Sequence, residues 1–120
     1  MEQKIIESDI VAAIETVDGL IGKVYPLNAP ENGVLPYVVY VSSGSTEDDS
    51  LAGWIGSYDT DMEINVLHRS YKAMKLLSKS VVQALKRLSA GAVYIEENQP
   101  ELYEPELEAY RKIINLKIQH

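Results

Sequence analysis

Apolar positions recur along the chain with two periods, and the switches between them mark its elements. Ile6, Ile10, Ala13, Ile14 and Val17 are spaced by three and four residues, the stripe of an amphipathic helix over roughly residues 2–17. Glu2, Glu7 and Asp9 lie toward its start, where negative charge complements the helix dipole. Gly19 and Gly22 end it. Lys23-Val24-Tyr25 before Pro26 is a short extended piece, and Asn28-Ala29-Pro30-Glu31-Asn32-Gly33 is a loop by its turn residues. After Pro36, Tyr37-Val38-Val39-Tyr40-Val41 is β-branched and aromatic throughout, hence a strand. Its unbroken apolar run indicates burial on both faces, or on one face plus a subunit contact.

Residues 42–57 make the longest irregular stretch expected, a Gly/Ser-rich loop that holds the single tryptophan, Trp54. Loops above about 12–15 residues are uncommon in compact domains and are usually functional or disordered. The next strand is the clearest signal in the chain. Tyr58, Thr60, Met62, Ile64 and Val66 alternate with Asp59, Asp61, Glu63 and Asn65, the period of a half-buried antiparallel strand. Ser70 can cap a helix to about Ser89, with a core stripe of Met74, Leu77, Val81, Leu85 and Leu88, closed by Gly91. Ala92–Ile95 is a short strand. The acidic stretch 96–108, with Pro100 and Pro105, is a connection, and the last strand covers roughly Tyr110–Gln119. There Tyr110, Ile114, Leu116 and Ile118 face one way, interrupted by Lys112, while Arg111, Ile113, Asn115 and Lys117 face the other. The order predicts an α+β two-layer sandwich: a mostly antiparallel sheet of four to five strands with two helices packed on one face.

Length and charge narrow the chemistry. The 120 residues make one domain, 1–120, of a size that buries a core without staples. With no cysteine, disulfides, thiolate catalysis and cysteine metal sites are excluded, and with only His68 and the C-terminal His120 a histidine triad or zinc centre is not expected. The net charge of −7 makes the chain a poor general binder of duplex DNA. No apolar run approaches the ~20 residues of a membrane span, and acids in the first turns do not suit a signal peptide, so a cytoplasmic chain that meets no membrane is expected.

Three groups of residues could carry function. Asp59, Asp61 and Glu63 project from one strand face about 7 Å apart, as an acid/base or divalent-metal set, as a solvated face, or as cross-strand partners of Arg111 and Lys117. Residues 69–88 carry six of the 11 basic residues and no acid. Their helical spacing places Lys72, Lys75, Lys79 and Lys86 on a common side, suited to nucleic acid or to an acidic partner. Separate acidic and basic faces favour self-association head to tail, which closes into a ring if the rotation permits. Third, Leu51, Trp54 and Ile55 give loop 42–57 apolar anchors between glycines. No nucleophile–histidine pair and no phosphate-binding glycine motif is present.

The motifs Lys23-Val24-Tyr25-Pro26, Ala29-Pro30 and Leu35-Pro36-Tyr37-Val38-Val39-Tyr40 resemble the opening of siphophage tail-completion proteins, also called tail terminator or tail-to-head joining proteins. The alternating strand Tyr58–Leu67, the helix Ser70–Ser89 and the Tyr110-Arg111 pair follow in that family's order; Leu67-His68 departs from it, where an aromatic-rich strand end is more usual. The resemblance implies a virion assembly protein without enzymatic activity or cofactor. It implies a ring, generally of six subunits, at the head-proximal end of the tail tube. Such a ring docks the head connector, and DNA passes through its lumen without specific binding. Assembly takes place in the bacterial cytoplasm, from a free phage or a prophage. On that basis the interface residues are Leu51, Trp54, Ile55, Asp59, Asp61, Glu63, Lys72, Lys75, Lys79 and Arg111. The competing readings are a head-completion or minor capsid protein, a small metal-dependent enzyme using Asp59, Asp61 and Glu63, and a nucleic-acid adaptor using the basic helix.

Overall fold

A computed structural model describes residues 2–31, 33–48, 57–88, 92–97 and 99–119, with the backbone alone for residues 2–6, 43–48 and 57–59. The order is α1 (Glu2–Glu15), β1 (Val24–Pro26), β2 (Tyr37–Asp48), β3 (Ser57–His68), α2 (Tyr71–Lys86), β4 (Ala92–Glu96), β5 (Leu102–Glu104) and β6 (Ala109–Gln119). The strands form one mixed sheet in the order β1-β2-β3-β6-β4, with β5 also on β6. β1 runs parallel to β2 and every other pair is antiparallel. This is the expected α+β two-layer sandwich, with six strands where four to five were expected.

Both helices pack on one face. Ile10 and Ile14 of α1 and Val81, Val82 and Leu85 of α2 meet Val38 and Tyr40 of β2, Met62, Ile64 and Val66 of β3, and Ile114, Leu116 and Ile118 of β6. The strand contributors are the even-numbered positions, as period two requires. Tyr40 also ties α1 to the sheet, its hydroxyl donating to Glu7 Oε1 at 3.4 Å. Ser70 caps α2 as expected: its side chain accepts from the Ala73 N–H at 3.2 Å. The helix closes at Lys86, with the Arg87 N–H donating back to Ala84, several residues before Gly91, which lies outside the described residues. Gly19 and Gly22 both have positive φ (88° and 70°), which glycine adopts without Cβ strain, and α1 gives way to turns after Glu15.

Two expectations need correction. Residues 42–48 and 57 are not loop: β2 continues to Asp48 and pairs with β3 as far as Ser57, across a register shift between Ser42 and Gly44. Thr46 aside, their Ser, Gly and acidic composition is poor in strand formers, and the ladder to β3 supplies what propensity does not. The acidic connection 96–108 likewise contains β5, three residues held by β6.

The face away from the helices carries residues of the segments 27–31 and 33–35. Ala29 and Leu35 pack there with Tyr25 and Val39 on buried Tyr37, Leu67 and Ala109, a second, smaller core. The Tyr25 and Tyr37 rings meet edge to face, 5.9 Å between centroids.

Candidate functional site

The odd-numbered positions of β3 and β6 build a polar face. Asp61 lies opposite Lys117, Glu63 opposite Asn115 and Asp59 opposite Gln119. Asn65, only 2% exposed, joins this row to a buried network. Its amide donates to the Val39 carbonyl at 3.3 Å and to Glu63 Oε2 at 3.1 Å, and its Oδ1 accepts from Arg111 Nη1 at 3.2 Å. Arg111 Nε sits 3.3 Å from Glu104 Oε2, an ion pair not aligned as a hydrogen bond, so this buried N–H lacks an acceptor. A cavity of about 320 Å³ opens over the network, lined by Asn28, Glu31, Tyr37, Glu63, Asn65 and Arg111 among others. Burial pushes the Tyr37 hydroxyl pKa up, and Arg111 partly opposes the rise. Burial also lowers the His68 pKa. His68 Nδ1 accepts from the Ser70 N–H at 3.2 Å.

A second cluster joins the two layers at the N-terminal end of α2. Glu101 Oε2 lies 3.7 Å from Lys75 Nζ and 3.6 Å from Lys112 Nζ, and Oε1 accepts from the Tyr71 hydroxyl at 3.3 Å. Desolvation raises the Glu101 pKa, but Lys75 and Lys112 outweigh it and hold the carboxyl below its usual value. The hydrogen bond to Tyr71, then the charge of Glu101, raises the pKa of Lys75. The Lys75 ammonium also sits 5.3 Å from the Tyr71 ring centroid. Tyr110 packs between Tyr71 and Tyr103, at 5.5 and 4.9 Å between centroids. Lys112, which interrupts the apolar stripe of β6, therefore faces the helical layer and is paired there.

The remaining basic side chains of residues 69–88, Arg69, Lys72, Lys79, Lys86 and Arg87, are exposed, on or next to α2. The structure thus puts Asp61, Glu63 and Arg111 on one face of the molecule and Lys72, Lys75 and Lys79 on the other. Leu51, Trp54 and Ile55 lie outside the described residues, as does the Asp59 side chain. Among the described residues, no group of three or more His, Asp or Glu side chains is placed to hold a metal ion. Glu101 and Asn65, the hubs of the two clusters, carry no sequence signal of their own: one follows a proline in a connection, the other continues an acidic alternation. No known family model and no curated protein matches the chain. Among the described residues, no helix is long and apolar enough to cross a membrane.

Proposed function

We propose that the protein is a structural component of a phage virion, a tail-completion protein. It caps the head-proximal end of the tail tube as a ring, six-membered by the resemblance, and offers a docking surface to the head connector. The reading is supported first by the order of elements. Helix, Val-Tyr-Pro strand, proline loop, Pro-Tyr-Val strand, alternating strand, long helix and final strand follow in the sequence of the family that the motifs resemble. The observation that carries the reading is the separation of charge across the two layers. The exposed side of α2 is basic, whereas on the opposite face of the sheet the acids of β3 are offset by Lys117 and the Asn65–Arg111 network. A slab with unlike faces suits heterologous contacts with copies of itself and with acidic partners.

On this reading the work is done by surfaces, with no bond-making side chain and no cofactor. Asp61 and Glu63 are offset within their own chain by Lys117 and the Asn65–Arg111 network. A sheet face of balanced charge does not grip a passing phosphate backbone. The test is genetic complementation. Deleting the gene from the phage or prophage that carries it should leave filled heads and separate tails, and adding purified protein to that lysate should restore joined particles. Joined particles formed without it would remove the function.

A further inference from the structure

Among the described residues, the sheet leaves strand edges unpaired on both sides at one level. β1 covers the outer edge of β2 at Val38–Tyr40, and the Leu27 N–H donates to the Tyr40 carbonyl at 2.9 Å. From Val41 to Asp48, among the described residues, no strand pairs with that edge. On the far side the sheet ends in β4, whose outer edge is equally free of a strand among the described residues. Register partners place the two edges at the same height. Ala92 is level with Thr46 through Gln119 and Asp59, and Glu96 is level with Val41 through Asn115 and Glu63. Edges are ordinarily blunted by proline, lysine, a β-bulge or a covering element, and of these the described β2 edge shows only the register shift between Ser42 and Gly44. Neither Val41–Asp48 nor Ala92–Glu96 contains a proline or a lysine.

Polarity matches as well. Each step from β2 to β3, β6 and β4 is antiparallel, so β4 runs opposite to β2. Placed beside the β2 of another copy, β4 continues the same alternation.

We infer that β4 of one copy pairs antiparallel with residues 41–48 of β2 in a second copy, through main-chain hydrogen bonds at both open edges. The inference rests on the proposed self-association and names its surface. The contact is heterologous, so each copy keeps one edge for the next, and repetition closes a ring or extends a filament. Every helical layer then falls on one side of a continuous sheet, and the Asp61–Lys117 face on the other. Charge favours a second copy as the occupant. The pairing edge of β2 ends in Glu47-Asp48, beyond the level of Ala92, and the exposed Lys86 and Arg87 close α2, the element that precedes β4 in the chain.

The absence of cysteine makes the test clean. Tyr94 is level with Gly44 through Lys117 and Asp61. Tyr94→Cys is combined in turn with Ser42→Cys, Ser43→Cys, Ser45→Cys or Thr46→Cys, and each variant is checked for fold by circular dichroism and oxidised under conditions where the parent chain assembles. A reducible ladder of species beyond the dimer is expected in at least one double variant and in none of the singles. Assemblies of parental mass without a ladder in any of the four would overturn the edge pairing and leave the ring reading standing. A disulfide dimer from Tyr94→Cys alone would overturn it in favour of a two-fold β4 contact. A parent chain monomeric at every concentration, with or without headless tails, would overturn both. Hydrogen exchange on the unaltered chain is an independent check. Amides of 41–48 and 92–96 should slow together by about tenfold or more on assembly, and unchanged rates there in an assembled sample would contradict the pairing.

Discussion

Asp61 and Lys117 are register partners on adjacent antiparallel strands, so a carboxylate and an ammonium share one position on the open face of the sheet. The acidic alternation of β3 is therefore answered within the chain. Further along the same two strands, Asn65 and Arg111 extend this face into a buried hydrogen-bonded network.

Reversing one member of the Asp61–Lys117 pair puts like charges opposite each other. Asp61→Lys or Lys117→Glu alone should each lower stability by about 0.2–1 kcal/mol, and the double reversal should recover most of the loss. Urea denaturation of the three variants measures this; losses that simply add would mean the two residues are not coupled.

Arg111 supplies the donor that buried Asn65 needs. Arg111→Met removes it and leaves Asn65 Oδ1 without that partner, at an expected cost of about 1–3 kcal/mol. Arg111→Lys should recover only part, since an ammonium lacks the planar fork of the guanidinium. Chemical denaturation reads the difference. A loss under about 0.5 kcal/mol, the range of ordinary surface changes, would contradict the network's role.

Glu101 makes stability depend on acidity in a definite direction. Its pKa is lower in the folded chain than the usual 4.5, so its contribution is full above that value and is lost as pH falls through the folded pKa. His68, lowered from 6.5 by burial, contributes in the same direction at higher pH: its share is full above 6.5 and declines below it. Thermal unfolding across pH 3–8 should therefore fall in two steps on the acid side. Glu101→Gln should flatten the lower step and His68→Gln the upper; curves unchanged by either substitution would contradict the assignment.

On the proposed function, the exposed Lys72 and Lys79 of α2, unlike the paired Lys75, serve association more than folding. Lys72→Glu with Lys79→Glu should leave stability within about 0.5 kcal/mol. The same pair should weaken attachment to headless tails and reduce its dependence on salt. Sedimentation of the protein with tails at two salt concentrations measures both effects, and undiminished attachment would place the partner elsewhere.

Much of this molecule was legible in local pattern. The alternation Tyr58–Val66 and the stripe Met74–Leu85 identified β3 and α2, and Ser70 marked the start of the helix, because period and capping are properties of neighbouring residues. The second half of β2 was not legible. Ser42 to Asp48 has loop composition, and its strand state depends on pairing with residues 57–62, decided by a register that shifts between Ser42 and Gly44. β5 was hidden for the same reason, being three residues between prolines held by Arg111, Tyr110 and Ala109. The Asp61–Lys117 pairing could be anticipated from the faces of β3 and β6, but Arg111 lies level with Leu67 and meets Glu104 and Asn65 instead of an acid of β3; the Glu101 cluster could not be anticipated, since it joins residues from a connection, a helix and a strand.

Electron microscopy of headless tail tubes, with and without the purified protein, tests the central claim most directly. A ring of added density at one end of each tube, matching the mass of bound protein, is the expected result. Tubes identical in both samples, with the protein left free in solution, would contradict it.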